Sequence, residues 1–247
     1  MKSSSSSRPQ GFTLLETVIA IGVLAVLLTG FMVVFTPAAE GIRKSINVQQ
    51  ADRLASALEQ ELVTLRKGDE SADIVTGFDK AFDRIRRSAT ANEALLVYQY
   101  RGKPSGLRAD GTPEPVVSMK GKIPGKDFIV VPMVRKAKDT LFSDPTTGDI
   151  AAIEGAVYLI KCTQLIYENG TSGGLKLGVP GEIVDPKGTD DSKYTKTDTY
   201  PEAVVAFSAD FYIMPAKTSS YFSGNAFKSK FETLKNPVFS RNLAVRR

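Results

Sequence analysis

The chain has 247 residues, 42% of them hydrophobic, and 32 Lys+Arg against 27 Asp+Glu leave a formal net charge of +5. It holds no histidine, no tryptophan and one cysteine, Cys162. One thiol excludes an intrachain disulfide. The missing histidine removes the commonest general base, and basic residues spread along the chain without interleaved aromatics argue against a nucleic-acid platform.

The first eleven residues, MKSSSSSRPQG, are polar and carry Lys2 and Arg8. Such charge precedes segments whose N-terminus stays in the cytoplasm. Residues 12–35, FTLLETVIAIGVLAVLLTGFMVVF, follow. From residue 17 to residue 39 the chain runs 23 residues without a charge. As helix this is roughly 35 Å, and about 20 residues cross a hydrocarbon core. In lipid the backbone must bond to itself, so a single span has to be helical.

Glu16 is the anomaly. Thr13 and Glu16 have the T-x-x-E spacing of a capping box, and an acid suits the positive end of the helix dipole. That explains a helix start. It leaves open why a carboxylate stands among Leu14, Leu15, Val18 and Ile19, where an acid facing lipid usually has a partner. A signal peptide cut after Ala38 or Ala39 is the competing reading. Against it, the apolar region exceeds the usual 7–15 residues and begins with an acid.

The stretch from Gly11 to Glu16, G-F-T-L-L-E, resembles the processing site of type IV pilins and type II secretion pseudopilins. The resemblance covers roughly residues 1–66. It implies that a prepilin peptidase cuts after Gly11 and that Phe12 becomes N-methylated. It further implies that Glu16, the fifth mature residue, neutralises the Phe12 amine of a neighbouring subunit. Implied partners are other pilin or pseudopilin subunits, the peptidase/methyltransferase, an inner-membrane assembly platform and membrane lipid. The proline that commonly bends this helix earlier is here Pro37.

Pro37 cannot donate to the carbonyl of Val33 and is expected to kink the helix. Leu54, Leu58, Leu62 and Leu65 then recur at four, four and three, with Ala51 and Ala55 beside them, an amphipathic stripe. One helix from about residue 13 to residue 66 is expected, ended by Gly68 and Asp69. The expected segments are a leader at 1–11, a membrane and filament-core helix at 12–36, its amphipathic continuation at 37–68, and an extracytoplasmic head at 69–247. Phe78, Phe82 and Ile85 predict a short second helix, and Lys80, Arg84, Arg86 and Arg87 read as its solvated face.

Strand patterns follow at 94–100, 116–119, 127–135, 155–168 and 203–214, with Pro132 marking an edge. Tyr158, Ile160 and Cys162 share one face, as do Val205, Phe207, Ala209, Phe211 and Ile213. Residues 178–200 read as a long polar loop. Phe227, Phe231 and Leu234 suggest a helix stopped by Pro237, and Arg246 and Arg247 read as a frayed end. The expected fold class is α+β: a long N-terminal helix packed on a small, mostly antiparallel sheet, a layout similar to that of pilins.

Chemistry is thinly signposted. With no His or Cys cluster, a metal would need oxygen ligands. Asp144 and Asp149 flank one turn. Asp185, Asp190, Asp191 and Asp198 in the long loop are calcium candidates, because some major pseudopilins bind calcium in a C-terminal loop. No complete calcium-loop, G-x-S-x-G, H-E-x-x-H or phosphate-loop pattern is present. Cys162, in VYLIKCTQLIY, reads as a small buried side chain. The expected function is therefore structural and non-enzymatic, a filament subunit. The rival is a membrane-tethered extracytoplasmic module that binds a ligand or envelope protein without polymerising.

Overall fold

The structure, a computed structural model, describes residues 13–168, 173–188 and 192–247. The chain divides into two compact units, Met1–Ile46 and Asn47–Arg247. Helix α1, Leu14–Val63, begins in the first and ends in the second, and helix is continuous through Pro37. It stops at Val63, short of the expected residue 66. Gly68 then takes φ +99 in the following turn.

The first unit contributes an apolar helical stretch with exposed side chains. The second is built on a seven-stranded, open sheet. Its strands are β1 (Leu95–Leu107), β2 (Pro113–Pro115), β3 (Ile129–Lys136), β4 (Ile153–Tyr167), β5 (Leu175–Leu177), β6 (Val204–Ile213) and β7 (Phe239–Arg246). Adjacent strands run β2-β1-β4-β6-β7, with β3 also on β1 and β5 on the far end of β4. Every paired strand is antiparallel. Among the described residues strand β3 pairs only with β1, and its Pro132 stands opposite Gln99. An edge tolerates the missing donor. Between Val97 and Gln99 the β1–β4 register slips, and Gly155 in β4 takes φ +70 there. The bulge thus falls where a residue without Cβ adopts the left-handed region.

Both faces of the sheet are covered. On one side lie residues 47–63 of α1 and helix α2, Gly77–Arg87. Ala51, Leu54, Ala55, Leu58 and Leu62 pack with Phe78, Phe82 and Ile85 against Tyr158, Ile160, Cys162, Val205, Phe207 and Phe211. These are the faces the alternation marks, apart from Ile213, which is exposed. Gly77 opens α2 against the end of α1: a Cβ there would stand 2.1 Å from the Val63 carbonyl oxygen. Thr76 and Asp79 close a capping box on α2. Lys80 is buried rather than solvated and pairs with Asp69 at 2.8 Å, which Arg84 also holds, while Arg86 and Arg87 pair with Asp83.

The opposite face carries a layer that the helix-on-sheet expectation lacks. Helices α3 (Thr140–Ser143), α4 (Ser219–Ser223) and α5 (Asn225–Thr233) bring Phe142, Phe222, Phe227 and Phe231 over Leu96, Tyr98, Tyr100, Val157, Leu159 and Tyr212. Two further expectations are corrected. Residues 116–119 are not strand. The tail is not frayed: β7 pairs residue by residue with β6 from Phe211↔Phe239 to Val204↔Arg246. The Arg247 amide donates to the Ala203 carbonyl at 2.8 Å, and its guanidinium lies 5.3 Å from the Phe78 ring centre. Leu243 and Val245 alternate inward there. Pairing with β6, rather than local propensity, makes this segment a strand.

Candidate functional site

The start of α1 is a closed reciprocal cap. The Thr13 amide and hydroxyl each donate to Glu16 Oε2 at 3.0 Å, and the Glu16 amide donates back to Thr13 Oγ1 at 3.2 Å. Glu16 itself is exposed. Its other oxygen, Oε1, accepts nothing among the described residues, so a cap uses only half of the carboxylate. The processing positions Gly11 and Phe12 lie outside the described residues. From Leu14 to Phe35 the large apolar side chains are exposed, Leu14 to 85%. Apolar surface of this extent calls for lipid or other protein surfaces. By length and composition, α1 suffices to cross a membrane.

Residues 6–32 match the family profile described as the prokaryotic N-terminal methylation motif. The chain carries a methylation motif typical of type IV pilins and pseudopilins. The match takes in Gly11, Phe12, Thr13 and Glu16 and ends inside α1. No curated protein matches the chain, and no solved structure does. A motif of this kind suggests interaction with a prepilin peptidase/methyltransferase system.

The two acidic candidates that are described differ in environment. Asp185 is buried and accepts from the Lys187 amide at 3.0 Å, whereas Asp198 is exposed. Asp190 and Asp191 lie outside the described residues. Among the described residues no three His, Cys, Asp or Glu side chains gather as metal ligands would. The other acidic pair also separates. Asp144 Oδ1 accepts the Thr147 amide and the Thr146 amide and hydroxyl, each at 2.8 Å, and these donors hold it below the usual carboxylate range. Asp149 points into the interior.

There Asp149 anchors a charge centre that sequence reading missed. Its Oδ1 accepts from Arg108 at 2.6 Å, and its Oδ2 accepts from Arg135 Nε at 2.9 Å and Tyr98 Oη at 2.6 Å. Arg135 Nη2 donates to Asp110 Oδ2 at 2.8 Å and to Thr112 Oγ1 at 3.0 Å. Burial opposes ionisation of Asp110, but Thr112 and Arg135 donate to its carboxylate and carry it down to about 2. Burial, reinforced by the Asp149 charge, holds the Tyr98 phenol well above its usual range. Alternation in β3 supplied a signal: Met133 and Arg135 share the inward face. A charge at an inward position must find partners.

Cys162 is buried, and burial pushes its thiol up to about 12. Its amide donates to Ser88 Oγ at 3.0 Å. This is packing, as its place in the core indicates.

Proposed function

We propose that the protein is a structural, non-enzymatic subunit of a type IV pilus-like or type II secretion pseudopilus filament. Prepilin peptidase cuts after Gly11, and Phe12 is N-methylated. Before assembly the chain sits once across the inner membrane through the N-terminal part of α1, with its leader in the cytoplasm and its head in the periplasm. In the filament, the exposed apolar residues of α1 pack against other subunits. The Phe12 amine meets Glu16 of a neighbour and sets the register. An ammonium and a carboxylate are each costly in an apolar medium, and pairing lowers the joint cost.

The observation that carries this reading is one acid, Glu16, five residues after a glycine, opening a long exposed apolar helix within a methylation motif. The test is the mass of the mature N-terminus isolated from the native host, in envelope and filament fractions. N-methyl-phenylalanine at Phe12 in filaments is expected. A chain that retains Met1 and functions normally would instead be a membrane-tethered binding module. A start after Ala38 or Ala39 would make it a secreted protein.

A further inference from the structure

Residues 117–126 form an exposed loop between β2 and β3, VSMKGKIPGK. Three apolar side chains stand open on it: Val117 at 49%, Met119 at 40% and Ile123 at 56%. Lys120, Lys122 and Lys126 alternate with them, all exposed, and no acid lies within the segment. The next residue, Asp127, is turned back: its Oδ2 accepts from the Ile123 amide at 2.8 Å. The ion pairs among the described residues engage other lysines, namely Lys80, Lys136, Lys187, Lys193 and Lys196. The loop is also shaped. Lys122 donates from its amide to Met119, Asp127 to Ile123, and Gly125 to Phe128, whose ring is buried. A held turn therefore presents apolar side chains together with lysines that pair with no acid among the described residues.

We infer that this loop is a peripheral contact for an anionic phospholipid surface. The lysines match phosphate and carboxylate headgroups, each adding attraction that falls off within a Debye length. Val117, Met119 and Ile123 match the headgroup–acyl boundary, as apolar groups do on interfacial segments. An acidic protein patch would satisfy the lysines but leave no reason for exposed aliphatic groups between them. The chain carries an apolar helix long enough to tether it to such a surface, and tethering makes a weak surface affinity sufficient. The inference rests on reading the first part of α1 as a membrane span. It does not require filament assembly.

The test uses the full chain with Cys162→Ala and Ser118→Cys, labelled with a fluorophore at position 118. The protein is reconstituted into vesicles of phosphatidylcholine alone or mixed with phosphatidylglycerol, each doped with lipid spin-labelled at the headgroup. Quenching at least about threefold stronger with phosphatidylglycerol is expected, suppressed by high salt. Lys120→Glu, Lys122→Glu and Lys126→Glu together should return it to the phosphatidylcholine level. Flotation with the vesicles but equal or absent quenching in both lipids overturns the loop assignment alone. Quenching that follows protein density rather than lipid charge reassigns the loop to a second copy and overturns it too. A chain that fails to float with any vesicle overturns the membrane-span reading, and the inference with it.

Discussion

Arg135 Nε and Asp149 Oδ2 meet at 2.9 Å with side chains only 5% and 0% exposed. They join β3 to the 3-10 turn Asp149–Ala152 that leads into β4. Breaking a buried pair by removing one partner leaves a charge that solvent cannot reach. Asp149→Ala removes the acid that Arg108 and Arg135 share, leaving Arg135 to Asp110 and Asp139, and should cost about 3–5 kcal/mol in urea unfolding of the detergent-solubilised chain. Near-ultraviolet tyrosine dichroism suits a protein without tryptophan. Arg135→Met in the same background should cost at least about 1 kcal/mol less than it does alone. Strict additivity would show that the two residues do not act as a unit.

Asp110 gives this centre an acid limit. Its ordinary value is 3.8, and the fold carries it to about 2. A carboxyl depressed on folding contributes stability that is complete above the unfolded value and is lost as pH falls through the folded one. The contribution, about 2 kcal/mol, should therefore disappear between roughly pH 4 and pH 2. Asp110→Asn should be less stable at pH 6 and should lose correspondingly less on acidification. The check is the pH dependence of the urea midpoint; parallel curves for the two proteins would refute the assignment.

Thr13 and Glu16 separate capping from assembly. Thr13→Ala removes the reciprocal cap, at a cost of about 0.5–2 kcal/mol to the first turn, but leaves the carboxylate. If Glu16 serves a neighbour's amine, Thr13→Ala should still enter filaments in near-normal amounts. Glu16→Ala should insert into the membrane and fail to assemble. Immunoblots of membrane and sheared filament fractions report both. Equal losses from the two substitutions would reduce Glu16 to a local cap.

The head was legible in outline and misread at its margins. The leucine stripe after Ala51 and the inward face of β6 could be read because each is a periodic pattern within ten or so residues, and the edge position of β3 because Pro132 lacks the donor an inner strand needs. β7 was missed because FSRNLAVR alternates weakly and follows Pro237. Its strand conformation comes from β6, whose partners lie about 30–40 residues earlier in the chain. Of the second covering layer, α5 was legible from Phe227 and Phe231, but α3 and α4 were not. Four- and five-residue helices such as α3 and α4 carry too few turns to show a face.

By itself the sequence determined the N-terminal segment. An uncharged run long enough to span hydrocarbon admits helix as its only self-satisfying conformation, and Thr13 and Glu16 mark where that helix starts. Only the tertiary structure decided where the head's charges go. Asp149, equivalent to Asp144 in the sequence as a turn acid, is the buried counter-ion of Arg108 and Arg135, while Asp144 closes its own turn. The physical reason is range. Periodicity and capping are settled among near neighbours, but a buried charge is settled by whichever groups the folded sheet brings within 3 Å of it.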